Sequence, residues 1–375
     1  MNYAAIDMGN YSLKGIFERG TKVNRIQIPN VIAEAEVDRD YIELEKNPLD
    51  GIHVEIISSA ISKGRGCYVV GNLASKYHNN DELTIDSKKG ESDQPIILLL
   101  TAIALDAVEN AKAKNTTKIE TTYHLSTGLP MSEAKKKGSR KALREKLKNG
   151  IHEIRFLDTP LYSGKIVHTS FDEVLVSSEG QAATMELTVN EDGTLKNEDL
   201  SKMTYLVHDI GGLSTDIAVV EPNGNVDNVN SHGEKIGVAP YLDNIIREVR
   251  EVYGYVFRSR KDLEEIIISP LPEIKGHIFL NGNRVDIQPI IDKHLRPIAI
   301  EEHKLIRMTW NNVPNTRKAH LIGGGSIILE SYIKAENERD KKYPLYFFDA
   351  ETSIWMIVKS YMHILKLYLK QKQSV

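Results

Sequence analysis

Two short stretches carry the residue types that hold a chain of phosphates. In one, the apolar run Ala4-Ala5-Ile6 leads into Asp7, then Gly9, Asn10, Tyr11, Ser12 and Lys14; in the other, Tyr205-Leu206-Val207 leads through His208 into Asp209, then Gly211, Gly212, Leu213, Ser214 and Thr215. A strand entering an aspartate, a turn of glycine and small polar residues, and a second strand leaving it predict a hairpin. Glycine lets the N–H groups of the bend approach a ligand with no Cβ in the way, which suits phosphate oxygens. An aspartate at the mouth of such a turn repels those oxygens, so it implies Mg²⁺ or its water shell between them. Lys14 adds a point charge for β- and γ-phosphate oxygens, and the second hairpin has no lysine. Further on, Ala319-His320-Leu321-Ile322 runs into Gly323, Gly324, Gly325 and Ser326, a strand and glycine turn with no side chain where a flat ring or ribose must lie against the backbone. A strand-to-helix junction at Ser178-Glu179-Gly180-Gln181 has two readings. Ser178 and Gln181 stand at capping-box positions, or Glu179 or Gln181 faces a water attacking a γ-phosphate.

Asp-x-Gly near the start, Asp-x-Gly-Gly-x-x-x-Asp in the middle and Gly-Gly-Gly-Ser late resemble the two phosphate motifs and the adenosine motif of the superfamily of actin, the heat-shock chaperone ATPases and the sugar kinases. Thr127-Gly128-Leu129-Pro130 and Ser178-Glu179-Gly180-Gln181-Ala182-Ala183 look more closely like the ParM/StbA branch, the prokaryotic actin-like proteins of plasmid segregation. The resemblance implies an α/β actin-like ATPase fold of two RNase-H-like domains, each with a small inserted subdomain, and a nucleotide in the cleft between them. The first domain is expected over 1–187 and 346–375, with its insertion at about 34–90, and the second over 188–345, with its insertion at about 254–290. Asp7 and Asp209 would then hold Mg²⁺ through water. Gly9, Asn10, Tyr11, Ser12, Lys14, Gly211, Gly212 and Leu213 would surround the phosphates of ATP or GTP, and Gly323 to Ser326 the adenosine. Glu179 would orient the lytic water, with Gln181 second and Asp209 tied to the metal. Tyr11 is bulkier than the residue usual at its position in the family. The function implied is a nucleotide hydrolase that assembles into filaments and moves a plasmid through a DNA-binding adaptor at a centromere-like site. A metabolic kinase of the sugar-kinase type and a membrane-associated scaffold of the FtsA type are the alternatives on the same fold.

Composition narrows the field. The 375 residues are 41% hydrophobic, enough for two or three domains with substantial cores and too apolar for a disordered chain. A net charge of −4 disfavours a general nucleic-acid binder. Cys67 is the only cysteine, so no intrachain disulfide forms, and a reducing cytoplasm is the expected compartment. Asp7 interrupts the apolar start before a signal-peptide core, and no apolar run reaches the length of a membrane span.

Other elements follow from pattern. Pro95 to Val108 is apolar on nearly every face, which predicts a buried helix. Residues 34 to 60, with Asp38, Arg39, Asp40, Glu43, Glu45 and Lys46, are expected to be exposed, and residues 258 to 284 to mirror them. The basic run Lys135 to Lys148 has no interleaved aromatics; Ala142, Leu143 and Leu147 predict a helix with one buried edge and a solvated face, and no direct DNA binding is expected. Leu242, Ile245, Ile246, Val249, Val252 and Tyr253 predict the buried face of a helix, Ile327 to Ile333 another helix, and the loop 190–194 the divide between the halves. The aromatic-rich segment Ser353 to Leu369 is amphipathic and is expected to dock on the first domain rather than on a membrane.

Overall fold

The computed structural model describes residues 1–36, 46–111, 116–190, 194–340 and 342–373, with the side chain of Asn223 left out. Asp38, Arg39, Asp40, Glu43 and Glu45 of the charged segment, and 191–193 of the expected dividing loop, lie outside them. The chain forms two compact units, Met1–Ala182 with Ile357–Val375, and Ala183–Met356.

The first unit holds β1 (Asn2–Met8), β2 (Ser12–Arg19), β3 (Lys22–Pro29), β4 (Val31–Glu34), β5 (Ile52–Ser58), β6 (Arg65–Val70), β7 (Asp81–Glu82), β8 (Lys118–Leu129), β9 (His152–Phe156) and β10 (Ile166–Ser178) in one sheet. Their order is β3-β2-β1-β8-β10-β9-β5-β6-β4-β7. Helix α1 (Asp93–Glu109) is buried from Gln94 to Ala107, as its all-round apolar sequence requires, and fills the core with Ile6, Leu13, Val54, Leu125 and Val174. The segment expected to be exposed contains a buried strand: Ile52, Val54 and Ile56 of β5 are fully covered. Its alternating residues belong to the sheet because β5 pairs with β6 on one side and β9 on the other, leaving neither edge to water. After Pro130 come α2 (Met131–Ala134) and the basic α3 (Ser139–Lys148). Leu143 and Leu147 of α3 are buried, whereas Ala142 faces solvent among the charges. α4 (Glu179–Thr188) follows β10 directly.

The second unit has a five-stranded sheet of β11 (Thr204–Ile210), β12 (Thr215–Val220), β13 (His232–Glu234), β16 (Thr316–Ile322) and β17 (Leu345–Phe347), in the order β13-β12-β11-β16-β17. β14 (His277–Leu280) and β15 (Asn283–Asp286) form a separate hairpin. The helices are α5 (Ala239–Tyr253), α6 (Arg260–Ile268), α7 (Gln288–Asn312) and α8 (Gly324–Arg339). Leu242, Ile245 and Val249 bury the inner face of α5, but Val252 is 59% exposed, one residue before the helix ends at a left-handed Gly254. α8 begins at Gly324, three residues earlier than its apolar pattern predicts, so two of the three glycines are its first turn.

The two sheets share a topology. β1 pairs antiparallel with β2 and parallel with β8; β11 pairs antiparallel with β12 and parallel with β16. The repeated hairpins of the sequence therefore open equivalent sheets.

The last helix, α9 (Ala350–Gln373), starts in the second unit and continues through the first. Its apolar stripe is buried at Val358, Tyr361, Leu365 and Leu369. Lys366 pairs with Glu18 at 2.7 Å, Lys372 pairs with Glu173, and a Cβ at Gly128 would overlap the Tyr361 phenol. Docking satisfies the amphipathic pattern. No helix among the described residues is long and apolar enough to cross a membrane.

One buried group makes stability depend on pH. His320 of β16 sits against Tyr205, Tyr346 and Phe348, and neither ring nitrogen has a hydrogen-bond partner. Burial, reinforced by the charge of Lys318, pushes its pKa down to about 4. In the unfolded chain the ring titrates near 6.5, so between about 6.5 and 4 the unfolded state binds the extra proton. Stability is therefore lost as pH falls through that window, by about 2 kcal/mol between pH 7.5 and 5. Melting of His320→Phe against the wild type at these two pH values checks this, and the variant is expected to lose that part of the slope.

Candidate nucleotide site

In the first unit the register of β1 and β2 sets Asp7 opposite Lys14, and Lys14 Nζ lies 3.4 Å from Asp7 Oδ2. Gly9 is required by space: a Cβ there would stand 2.5 Å from the Ser12 carbonyl oxygen and 3.3 Å from Lys14 Nζ. The bend from Gly9 to Tyr11 is held from behind by Asn30. Its side-chain amide donates to the Gly9 carbonyl at 2.8 Å and its backbone N–H to the Tyr11 carbonyl at 2.8 Å. Gln94, at the start of α1, donates to the Asn30 side-chain oxygen at 2.8 Å, which aims the Asn30 NH₂ group at Gly9. Gln27 donates to the Ser12 hydroxyl, and the Tyr11 hydroxyl is buried. Asn10 completes the bend, part-exposed.

Glu179 occupies the first position of α4 and is buried. Its Oε1 receives a hydrogen bond from Lys89 Nζ at 2.7 Å, a pair whose side chains are 9% and 6% exposed. Burial works to lower the Lys89 pKa, but the carboxylates of Glu179, Asp7 and Glu133 outweigh it and raise it, so the ammonium keeps its charge. Ser178 does not cap α4, because its hydroxyl is buried with no hydrogen-bond partner. Gln181 lies two residues along the helix and is part-exposed.

In the second unit Gly211 N–H closes the bend onto the Ser214 carbonyl at 2.9 Å, and Ala239 N–H reaches the Gly212 carbonyl at 2.7 Å, tying the turn to the start of α5. Leu213 packs inward. Behind the hairpin, Glu302 of α7 is fully buried and joins both strands: His208 Nε2 is 2.7 Å from its Oε2, and the Thr215 hydroxyl donates to its Oε1 at 2.7 Å. One carboxylate thus fixes the residue before Asp209 and the residue that begins β12.

The parallel pairing of β11 with β16 sets Asp209 beside Ile322 and brings the glycine turn against the aspartate. Gly323 has φ +83° and ψ 165°, and a Cβ on it would overlap the Asp209 carboxylate. A Cβ on Gly325 would strike Ile210 at 2.5 Å. Only Gly324 of the three opens to free space, with nothing within 4 Å of a Cβ position. Ser326 faces inward, its hydroxyl donating to the Gly323 carbonyl at 2.8 Å, so it shapes the turn.

The first unit thus gathers Asp7, Lys14 and Glu179, and the second gathers Asp209 and the glycine turn. Spacing and residue type missed Asn30, Gln94, Lys89 and Glu302. Asn30, next to Pro29, reads as a strand ending, and the other three become visible only when distant segments meet.

The repeated sheets with these two aspartate hairpins define the actin-like class. Residues 5–181 match the family profile of the actin-like proteins' N-terminal domain, and residues 204–345 that of the Alp7A C-terminal domain. The two profiles, both of actin-like proteins, together span most of the chain, which belongs to the actin-like proteins. The crystal structure of the actin-like protein Alp7A aligns with a TM-score of 0.76 at 19% identity, over 99% of this chain and 97% of that one. ParM of Bacillus thuringiensis with ATP gives 0.73 at 21% identity, over 98% and 99%. ParM in a 15-stranded filament from Clostridium botulinum gives 0.71 at 21%, over 98% and 99%. No curated protein matches the sequence.

Proposed function

We propose that this protein is a nucleotide-dependent, filament-forming ATPase that segregates plasmid DNA through a DNA-binding adaptor. The observation that carries the reading is the pair of aspartate hairpins on equivalent sheets, each with a bend so tight that a Cβ at Gly9 or at Gly211 would strike the carbonyl oxygen across it. Similarity to ParM structures with ATP, AMPPNP and ADP, and to a ParM filament, supports it.

The residues fit a nucleotide with Mg²⁺. Tight glycine bends of this kind suit phosphate oxygens, Lys14 offers its charge, and the open face at Gly324 suits the adenosine. Among the described residues no three His, Cys, Asp or Glu side chains converge as a metal cage. Mg²⁺ beside Asp7 and Asp209 would keep water and phosphate oxygens as ligands, as this ion commonly does. When bound, it neutralises charge on the phosphate oxygens. Glu179 accepts a hydrogen bond from the attacking water and orients it toward the γ-phosphate. Asn30 and Gln94 hold the first bend so that its N–H groups do not reorganise as charge moves.

Light scattering at tens of micromolar protein tests the reading. Scattering is expected to rise with Mg-ATP or Mg-GTP and to stay flat without nucleotide, followed by phosphate release. Flat traces throughout, together with phosphoryl transfer to a sugar, would replace this reading with a kinase. The purified protein alone is expected to show no sequence-selective DNA binding at physiological salt, since its basic α3 lacks stacking aromatics. Nanomolar selective binding without a partner would remove the adaptor from the proposal.

A further inference from the structure

The Lys89–Glu179 pair stands out because burying a lysine is expensive. Its neighbour Lys88 shows the ordinary alternative, on the surface and paired with Glu91 at 2.8 Å. Lys89 instead turns inward, and its backbone is clamped to do so. The Glu133 carboxylate accepts from Lys89 N–H at 3.0 Å and from Gly90 N–H at 3.1 Å. Glu133 lies in α2, immediately after Gly128-Leu129-Pro130, so the end of β8 governs where the 89–90 backbone sits. A covalent and hydrogen-bonded path therefore runs from β8 through Glu133 to Lys89, and through its ammonium to Glu179.

We propose that Lys89 is the positioning residue of Glu179: its ammonium holds the carboxylate in one orientation at the start of α4, and Glu133 holds the backbone from which Lys89 reaches. The assignment rests on the reading of Glu179 as the group that orients water. A buried carboxylate with no cation rotates toward other donors and takes up a proton more readily, and both changes lose its grip on the water. The same charge also balances Asp7, whose field Lys89 feels.

Phosphate release from Mg-ATP by the full chain, with nucleotide affinity measured in parallel, tests this on Lys89→Met, Lys89→Arg, Glu179→Gln and the Lys89→Met/Glu179→Gln double variant. Lys89→Met is expected to lower kcat about 100-fold and to leave nucleotide Kd within about threefold. The acid limb of its kcat profile is expected to move toward neutral pH, and Lys89→Arg to recover part of the rate. Because the two residues act as one unit, the double variant is expected to be no more than about threefold slower than the slower single. Wild-type kcat in Lys89→Met beside a slow Glu179→Gln would overturn the role of Lys89 alone, as would losses that multiply in the double variant. Wild-type kcat in Glu179→Gln would overturn the reading of Glu179, and Lys89's role with it. If Lys89→Met fails to fold, Glu133→Gln carries the test, with kcat expected about tenfold lower at unchanged Kd; unchanged kcat would overturn the proposal.

Discussion

Exchanging Glu179 for glutamine is expected to slow phosphate release by about 10²- to 10³-fold while nucleotide binding and assembly persist, giving longer-lived filaments. A group that acts only on the attacking water contributes to the transition state and little to ground-state affinity. Glutamine is the informative substitution because its amide oxygen still accepts from Lys89. Alanine would strand a buried ammonium, and the loss of one partner from such a pair costs about 3–5 kcal/mol of stability. Asp209→Asn is expected to behave differently, losing hydrolysis and also the Mg²⁺-dependent share of nucleotide affinity. Phosphate release, sedimentation and nucleotide titration with and without Mg²⁺, run on both variants, separate the two roles. Equal affinity of Asp209→Asn and wild type in Mg²⁺ would take Asp209 out of the metal's surroundings.

Two adjacent glycines are expected to fail in opposite ways. Gly323→Ala places a Cβ at φ +83° and ψ 165°, a region nearly reserved for glycine and costing about 1–3 kcal/mol. That Cβ also overlaps the Asp209 carboxylate and comes within 2.5 Å of the Ile210 carbonyl oxygen. The variant is expected to melt well below the wild type and to displace Asp209. Gly324→Ala meets nothing and sits in the first turn of α8, where alanine adds up to about 1 kcal/mol of helix preference. It is expected to melt at or above the wild type yet to bind nucleotide about tenfold more weakly, because the new methyl group occupies the open face proposed for the adenosine. Melting curves and nucleotide titrations decide. Unchanged affinity in Gly324→Ala would move the adenosine elsewhere.

Much of the fold was legible in residue types because a hairpin turn is a local object. Asp7 to Lys14 and Asp209 to Thr215 are single hairpins, so their spacing alone describes their geometry. The all-round apolar helix, the strand-to-helix junction at Glu179 and the docking of the last helix were readable for the same reason: periodicity reports burial. What stayed hidden depends on pairs far apart in the chain. Lys88 and Lys89 are chemically identical neighbours, and only the fold turns the second toward Glu179, 90 positions away. Glu302 stands in a charged stretch of α7 and looks solvated until His208 and Thr215 arrive behind it. The triple glycine gave the right element with an incomplete reason. Two of its members make room for Asp209 and Ile210, and only Gly324 leaves open space at its Cβ position.

The path of α9 sets an order of events during synthesis. The second unit is one continuous run, Ala183–Met356, whereas the first is closed by Ile357–Val375. Gly128 and Glu18 wait for Tyr361 and Lys366, residues made more than two hundred positions after Gly128. On the ribosome, the unit that begins the chain is therefore the last to be completed, and the unit in the middle has every residue it needs first. The hairpin bearing Asp7 and Lys14 thus matures only after the later turns of α9 have been made, so a chain cut after Met356 carries a complete second unit joined to an incomplete first one.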